Sequence, residues 1–291
     1  MKSGKTKALA LLTSIVMLLT LLAGCGGTPT MESSSATSDS ESSSSSAEKT
    51  KITVATGAAP RPYAYVDDND ELVGYDIDLV RAIFDRLPQY EVTFEIAEFT
   101  SIFAGLDSDR YQIGANHFAK NAEREEKYLF SDPDFQNEYV IAVPEGQTDI
   151  TSLEDLLGKT TEVNTGVNFT TALEEYNKSH TDNPVQLTYT DADMVSILQH
   201  VESGAYDFQL IDAPTLETYI KEYGLKLDAV SLTAEESALI GDPYTYLLIS
   251  KGTLGEQLQS DINTVLAELI ADGTLESLSE KYLDGDYTPK Q

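Results

Sequence analysis

A single cysteine, Cys25, among 291 residues excludes an intramolecular disulfide and any cysteine-rich metal site. Histidine is almost as scarce. His117, His180 and His200 are the three present, and their positions show no paired spacing, so neither a metal nor another cofactor is expected. Basic residues are few as well: 19 Lys and Arg stand against 49 Asp and Glu, for a formal charge of −30. Such a surface repels nucleic acid and anionic lipid, which excludes both as electrostatic partners. Long hydrophobic runs are missing beyond the N-terminus, where no apolar stretch approaches the roughly 20 residues of a membrane-crossing helix.

The one apolar run that exists opens the chain. Lys2, Lys5 and Lys7 precede a mostly apolar segment from Ala8 to Leu22. At about 15 residues, ending in small side chains, it fits a cleaved export signal better than a permanent span. Leu22-Ala23-Gly24-Cys25 resembles a bacterial lipobox. That resemblance implies a lipoprotein signal peptide over residues 1–24, with Cys25 becoming the acylated first residue, carrying palmitate among several chains and attached stably. Residues 25–49 follow with Ser, Thr, Glu and Asp and almost nothing apolar, a composition that cannot offset its ordering entropy. They are expected to form a disordered tether with a reach on the order of 25–30 Å. Loss of the signal lysines takes the charge to about −33, so covalent lipid must hold the chain at the membrane, on the outer face of the cytoplasmic membrane.

Residues 50–291 are ample for one large or two ordinary domains, and the chain's 41% apolar content is normal for a globular protein. Lys51–Thr56 has the pattern of a strand, and Ala64–Val66 and Leu72–Val73 flank a turn. Ile77, Val80, Ile83, Phe84 and Leu87 recur at helical spacing until Pro88. Strands at Glu91–Ile96 and Gln112–Asn116 enclose a helix at Ser101–Leu106, and a further helix opens near Asn121. The second half repeats the alternation, with strands Thr160–Val163, Val185–Tyr189 and Phe208–Ile211 and helices Phe169–Asn177 and Asp193–Glu202. The pattern predicts an α/β fold of two lobes, each a mostly parallel sheet flanked by helices. Tyr139–Val143 and Tyr244–Ser250 are the expected hinge strands, which assigns residues 50–140 plus 247–291 to lobe 1 and 141–246 to lobe 2.

Ligands of open sheets sit beyond the carboxyl ends of the strands. Gly57-Ala58-Ala59-Pro60, Asn116-His117-Phe118-Ala119, Asn164-Thr165-Gly166-Val167-Asn168 and Asp212 follow four of the predicted strands. They supply small residues for close approach, N–H groups opening a helix, and one carboxylate, which is what a zwitterion requires. Arg124, in the first turn after Asn121, can aim a bidentate guanidinium into the same crevice.

Leu72-Val73-Gly74-Tyr75-Asp76-Ile77-Asp78-Leu79, Asn121-Ala122-Glu123-Arg124, Phe130-Ser131-Asp132-Pro133 and Asp272-Gly273-Thr274-Leu275 with Lys281-Tyr282 resemble, in order, blocks of the family 3 bacterial extracellular solute-binding proteins. The resemblance covers essentially all of residues 51–285. It implies a monomeric, non-enzymatic subunit that captures a polar amino acid and delivers it to the permease of an ABC importer. By that resemblance Arg124 clamps the ligand α-carboxylate, Asp212 pairs with its α-ammonium, and the N–H groups of Val167 and Asn168 after Gly166 add to the carboxylate site. Asn116 to Asn121, and Gly166 to Thr170, look most like the branch that binds cystine and related sulfur amino acids.

Two positions depart from the family. Ala119 replaces a hydroxyl residue five positions before the arginine, and Pro60-Arg61-Pro62-Tyr63 replaces a pair of aromatics around proline, leaving Tyr63 as the stacking candidate. Tyr63, Phe99, Asn116, His117 and Phe118 then form the expected distal wall, mainly aromatic and amide-like. A disulfide or thioether packs well on such a wall, and Arg61 is the nearby cation that would favour glutamate instead. Two rivals share the architecture. A periplasmic dehydratase of prephenate- or arogenate-like substrates would need an acid–base motif, which the sequence does not display, and a sensor ectodomain would need a further domain or span, which it does not display before Gln291.

Overall fold

The computed structural model describes residues 48–283 and 285–290, so the expected signal peptide, Cys25 and nearly all of the tether lie outside the described residues. The chain opens with β1 (Thr50–Thr56), the short hairpin β2 (Tyr65–Val66) and β3 (Leu72–Val73), α1 (Tyr75–Asp85), β4 (Tyr90–Ile96), α2 (Phe99–Asp107), β5 (Ile113–Ala119) and α3 (Ala122–Lys127). Next come β6 (Leu129–Phe130), β7 (Phe135–Gln136), β8 (Tyr139–Pro144), β9 (Thr160–Val163), α4 (Asn168–Ser179), β10 (Gln186–Tyr189) and α5 (Met194–Glu202). The remainder is β11 (Gln209–Asp212), α6 (Ala213–Tyr223), β12 (Leu227–Ser231), α7 (Ala234–Ile240), β13 (Tyr244–Ile249), α8 (Gly255–Ala271) and α9 (Thr274–Leu283).

The first sheet has the order β4-β1-β5-β13-β6, with β7 also pairing β13. Ile77, Val80, Ile83 and Phe84 of α1 are buried, as their helical spacing predicts, and Leu79, Val80, Ile83 and Phe84 join α8 and α9 residues such as Ile262, Leu266 and Leu275 on one face of this sheet. Gly74 lets α1 start where it does. It has φ +129, and a Cβ there would lie 2.3 Å from the Tyr63 carbonyl oxygen, so only glycine fits this turn of the signature. Ile102, Leu106, Phe118 and Tyr246 form the core on the other face, beneath α2.

The second lobe holds a sheet of order β11-β8-β12 and the pair β10-β9. Its apolar residues divide between a cluster around Ile141, Val143, Leu156 and Phe208 and another around Ala142, Leu198, Ile211 and Leu216. Alternate residues of β8 therefore serve opposite faces, as the pleat requires.

The expected parallel pairing holds for β4, β1 and β5 and for β9 with β10, whereas β8 and β13 run antiparallel to each neighbour they pair with. Both are the first strands after the chain changes lobe. They arrive from the other lobe rather than through a helical crossover, so the rule that makes βαβ units parallel does not bind them. The crossings themselves are the residues just ahead of these strands, and they are tied together where the Asn137 N–H donates to the Pro243 carbonyl. Most element bounds differ from the sequence pattern by a residue or two; the largest differences include α2, which starts at Phe99, and β5, which continues to Ala119. Pairing of Phe118 and Ala119 with Tyr246 and Thr245 of β13 extends β5, a long-range contact that local pattern does not report.

Candidate functional site

The site forms where the ends of β1, β5, β9 and β11 approach one another. Asn121 caps the six-residue α3, its side-chain oxygen accepting the Arg124 N–H at 2.9 Å, as the Asn-Ala-Glu-Arg spacing predicts. This fixes Arg124 pointing inward, 5% exposed. One guanidinium nitrogen donates to the Ala119 carbonyl at 2.7 Å and another to the Gly166 carbonyl of the second lobe at 2.9 Å. The guanidinium carbon also lies 5.2 Å from the Phe103 ring centre and 5.3 Å from that of Phe118. None of the ion pairs among the described residues includes Arg124. Burial draws its pKa down to about 10, still charged at neutral pH.

Gly166 has φ +81, and a Cβ there would sit 3.7 Å from the Phe99 ring, so this loop turns left-handed directly against the first lobe. Asn168 opens α4 with Val167 before it, and no side chain caps this end. Of the two N–H groups expected to face an anion, that of Val167 donates to the Asn164 carbonyl at 3.4 Å, which leaves the Asn168 end of α4 as the better anion donor.

Asp212 ends β11 and caps α6, 5% exposed. Its Oδ1 accepts from the Tyr63 hydroxyl of the first lobe at 2.7 Å and from both the backbone N–H and the hydroxyl of Thr215. Asp212, like Arg124, enters no ion pair with another described residue. The Tyr63 side chain is fully buried and lies under the His117 ring, centroid to centroid 3.4 Å with planes 15° apart. His117 Nε2 is 3.1 Å from Oδ1 of Asn137 at the first crossing, while Nδ1 is buried without a partner. Burial holds the imidazole neutral, with its pKa lowered to about 4.

The remaining expected residues divide. Phe99 and Phe118 stack at 5.8 Å and, with Phe103, form the floor beneath Arg124. Ala119 contributes its carbonyl, not a side chain. Asn116 is also near, but its side-chain oxygen accepts from the Thr56 hydroxyl at 3.1 Å and the Gly57 N–H at 2.8 Å, tying the end of β1 to β5. Arg61 is engaged by Glu222 at 3.3 Å and lies over the Tyr65 ring at 4.1 Å. Thr215, Asn137, Phe103 and Asp76 belong to the constellation but were not singled out from sequence. Thr215 was legible in principle, since Asp-Ala-Pro-Thr has the form of an N-cap followed by Pro and a first-turn hydroxyl. Among the described residues no cluster of three or more His, Cys, Asp or Glu could hold a metal ion.

Residues 52–285 match the profile of the bacterial extracellular solute-binding proteins, family 3. The chain belongs to that family. All the blocks that carried the resemblance, from Leu72 to Tyr282, fall inside the matched range. This family 3 chain is 28% identical over 226 residues to an L-cystine-binding protein, TcyJ, of Bacillus subtilis, covering 77% of this chain and 81% of that one. It is 31% identical over 227 residues to a second L-cystine-binding protein of the same organism, TcyA, covering 77% and 78%. A solved structure concerned with glutathione import in Gram-positive bacteria via GshT and the cystine ABC importer TcyBC of Streptococcus mutans superposes with a TM-score of 0.77 at 37% identity, covering 84% of this chain and 98% of that one. The two-lobed α/β arrangement is thus the family 3 architecture, and Arg124, Tyr63 and Asp212 make hydrogen bonds from one lobe to the other.

Proposed function

We propose that this protein is the extracytoplasmic substrate-binding subunit of an ABC importer for polar amino acids, and that its ligand is cystine or a related sulfur amino acid. One observation carries the reading. A buried guanidinium from one lobe and a buried carboxylate from the other have no ionic partner among the described residues, and each hydrogen bonds across to the opposite lobe. Unpaired charges in a cleft are costly, so an α-amino acid that brings both missing partners is bound strongly and holds the lobes together. In this reading Arg124 and the N–H groups after Gly166 take the carboxylate, and Asp212 takes the ammonium through its Oδ2. Phe99, Phe118, His117 and Tyr63 form the wall for the side chain, with capture and no chemistry. The lobes divide at the crossings near residues 137–138 and 241–243, a few residues ahead of the expected boundaries at 140/141 and 246/247, and Cys25 carries the lipid that holds the monomeric chain beside its permease.

The 37% identity to a structure concerned with glutathione import favours a second ligand within the same site, since glutathione also presents an α-amino acid end and a sulfur. Arg61 is paired with Glu222, which weakens the case for glutamate. Calorimetric titration with L-cystine, glutathione, S-methylcysteine, glutamine, glutamate and arginine tests both readings. Cystine or glutathione is expected to bind best. A preference of more than about tenfold, or 1.4 kcal/mol, for glutamine or arginine would sink the sulfur assignment, and no binding by any of the six would sink the amino-acid assignment.

A further inference from the structure

Along β5 and β13 the ladder pairs Gly114 with Leu248 and Phe118 with Tyr246. Ala115, Asn116 and His117 thus stand against the single residue Leu247, and β5 bulges. Bulges take backbone groups out of the ladder and re-aim side chains, often beside a functional site. A buried N–H that loses its ladder partner needs another acceptor. At His117 that acceptor comes from α1: Asp76 Oδ2 takes the N–H at 2.5 Å, and Asp76 is itself only 3% exposed. His117 here has φ +52, a left-handed conformation that a residue with a Cβ keeps only where its surroundings hold it. The turn decides where the ring goes. It lies flat on Tyr63, edge-on to Phe135 at 5.2 Å, with Nε2 at Asn137 of the crossing, while the Tyr63 hydroxyl reaches Asp212 in the other lobe.

We propose that Asp76 is a positioning residue for the amino-acid site, holding the β5 bulge so that His117 packs on Tyr63 and Tyr63 orients Asp212. The proposal rests on the reading of Arg124 and Asp212 as the ligand clamp. Asp76 touches no ligand and acts through His117. Its neighbour Asp134 is buried in the same core, where it accepts from the Thr245 hydroxyl at 2.8 Å. Burial first, and the Asp134 charge second, push Asp76 well above the usual carboxylate range. The oxygen of Asp76 that accepts the His117 N–H is one that an asparagine side chain also offers.

The experiment compares the parent chain with Asp76→Asn, Asp76→Leu and His117→Gly, using L-cystine and reduced glutathione as calorimetric probes. The His117 backbone amide and ring shifts are followed by NMR. Asp76→Asn is expected to keep the parent affinity within about threefold and the parent shifts, whereas Asp76→Leu weakens binding by about tenfold or more and moves both shifts. Should the leucine variant fail to fold, His117→Gly replaces it: glycine keeps the left-handed turn but lacks the ring, and a loss of about tenfold is expected. Parent-like binding by either Asp76→Leu or His117→Gly, or an asparagine variant as weak as the leucine one, overturns the proposal. If the parent binds neither probe, it is the ligand reading that falls, and the positioning role is then decided by NMR, where unchanged His117 shifts in Asp76→Leu overturn it.

Discussion

Replacing Arg124 with methionine separates what this residue does for the ligand from what it does for the fold. Burial takes its pKa from 12.5 to about 10, which corresponds to roughly 3 kcal/mol against keeping the charge in the cleft. Against that relief stand two hydrogen bonds from a charged donor, to the Ala119 and Gly166 carbonyls, worth about 1.5–3 kcal/mol each. Methionine fills similar space against Phe103 and Phe118, so little cavity is left. The terms nearly cancel, and the ligand-free variant is expected within about 2 kcal/mol of the parent. Ligand binding has no such cancellation. Truncating one partner of a buried charge pair costs about 2–5 kcal/mol, a loss of roughly 30-fold or more in Kd.

Thermal melts with and without ligand measure both quantities. At a ligand concentration of 100 times the parent Kd, binding adds about 2.7 kcal/mol to the parent, which for a domain of this size is roughly 5–10 °C in Tm. A variant with 100-fold weaker binding keeps only about 0.4 kcal/mol of that, a shift of little more than about 1 °C. Two results would refute the reasoning. One is a methionine variant with the full ligand-induced shift. The other is a ligand-free variant destabilised by more than about 4 kcal/mol, which would make Arg124 a structural residue.

Asp212→Asn preserves the shape and the Tyr63 and Thr215 contacts while removing the charge, and calorimetry should show an amino-acid affinity lowered by about 2 kcal/mol or more with an unchanged fold. Asp134 ionises at about 7 in the folded chain, raised by burial, so the native state binds more protons than the unfolded state between the ordinary value of 3.8 and about 7, and its contribution to stability is lost as pH rises through that window. Asp134→Asn should therefore stabilise the protein at pH 8 and change little at pH 4, and denaturant titrations showing no gain at pH 8 would contradict this. Burial lowers the His117 pKa to about 4, so stability on its account falls as pH drops from about 6.5 toward 4; His117→Phe should remove that part of the acid sensitivity in the same titrations. Cys25→Ser should release the chain into the soluble fraction with ligand affinity intact, and membrane fractionation equal to the parent would count against lipid anchoring.

Much of this architecture could be read from local pattern because its causes are local. The α1 stripe, the Asn121 cap and the strand-end position of Asp212 follow from periodicity, cap chemistry and the rule that ligands lie beyond strand ends. The antiparallel strands β8 and β13 were not legible, because their direction follows from the chain's change of lobe rather than from their own residues. The role of Asn116 was misleading for a related reason. Beside His117 in sequence it resembles a pocket residue, yet its oxygen binds Thr56 and Gly57, partners about 60 residues away. His117 itself was placed in the crevice by its neighbours in sequence, but its left-handed turn depends on Asp76, and only the β5 bulge reveals that dependence.

If Arg124 and Asp212 clamp an amino acid as proposed, the position of the crossings couples that binding to the arrangement of the lobes. Asn137 sits at the first crossing, bonded through its backbone to Pro243 at the second and through its side chain to His117 in the site. Any rotation of the lobes about this pair must displace the Tyr63–Asp212 and Arg124–Gly166 contacts, since each joins residues from opposite lobes. A ligand that bridges Arg124 and Asp212 is therefore bound fully in the arrangement where these contacts exist and only by half where they do not. That difference is the differential affinity closure requires, and each tenfold of it moves the equilibrium between arrangements by about 1.4 kcal/mol. Tyr63 makes the coupling direct. Its ring belongs to the His117 stack of one lobe and its hydroxyl to the carboxylate of the other, so the side chain that shapes the pocket wall also reports whether the second wall is in place.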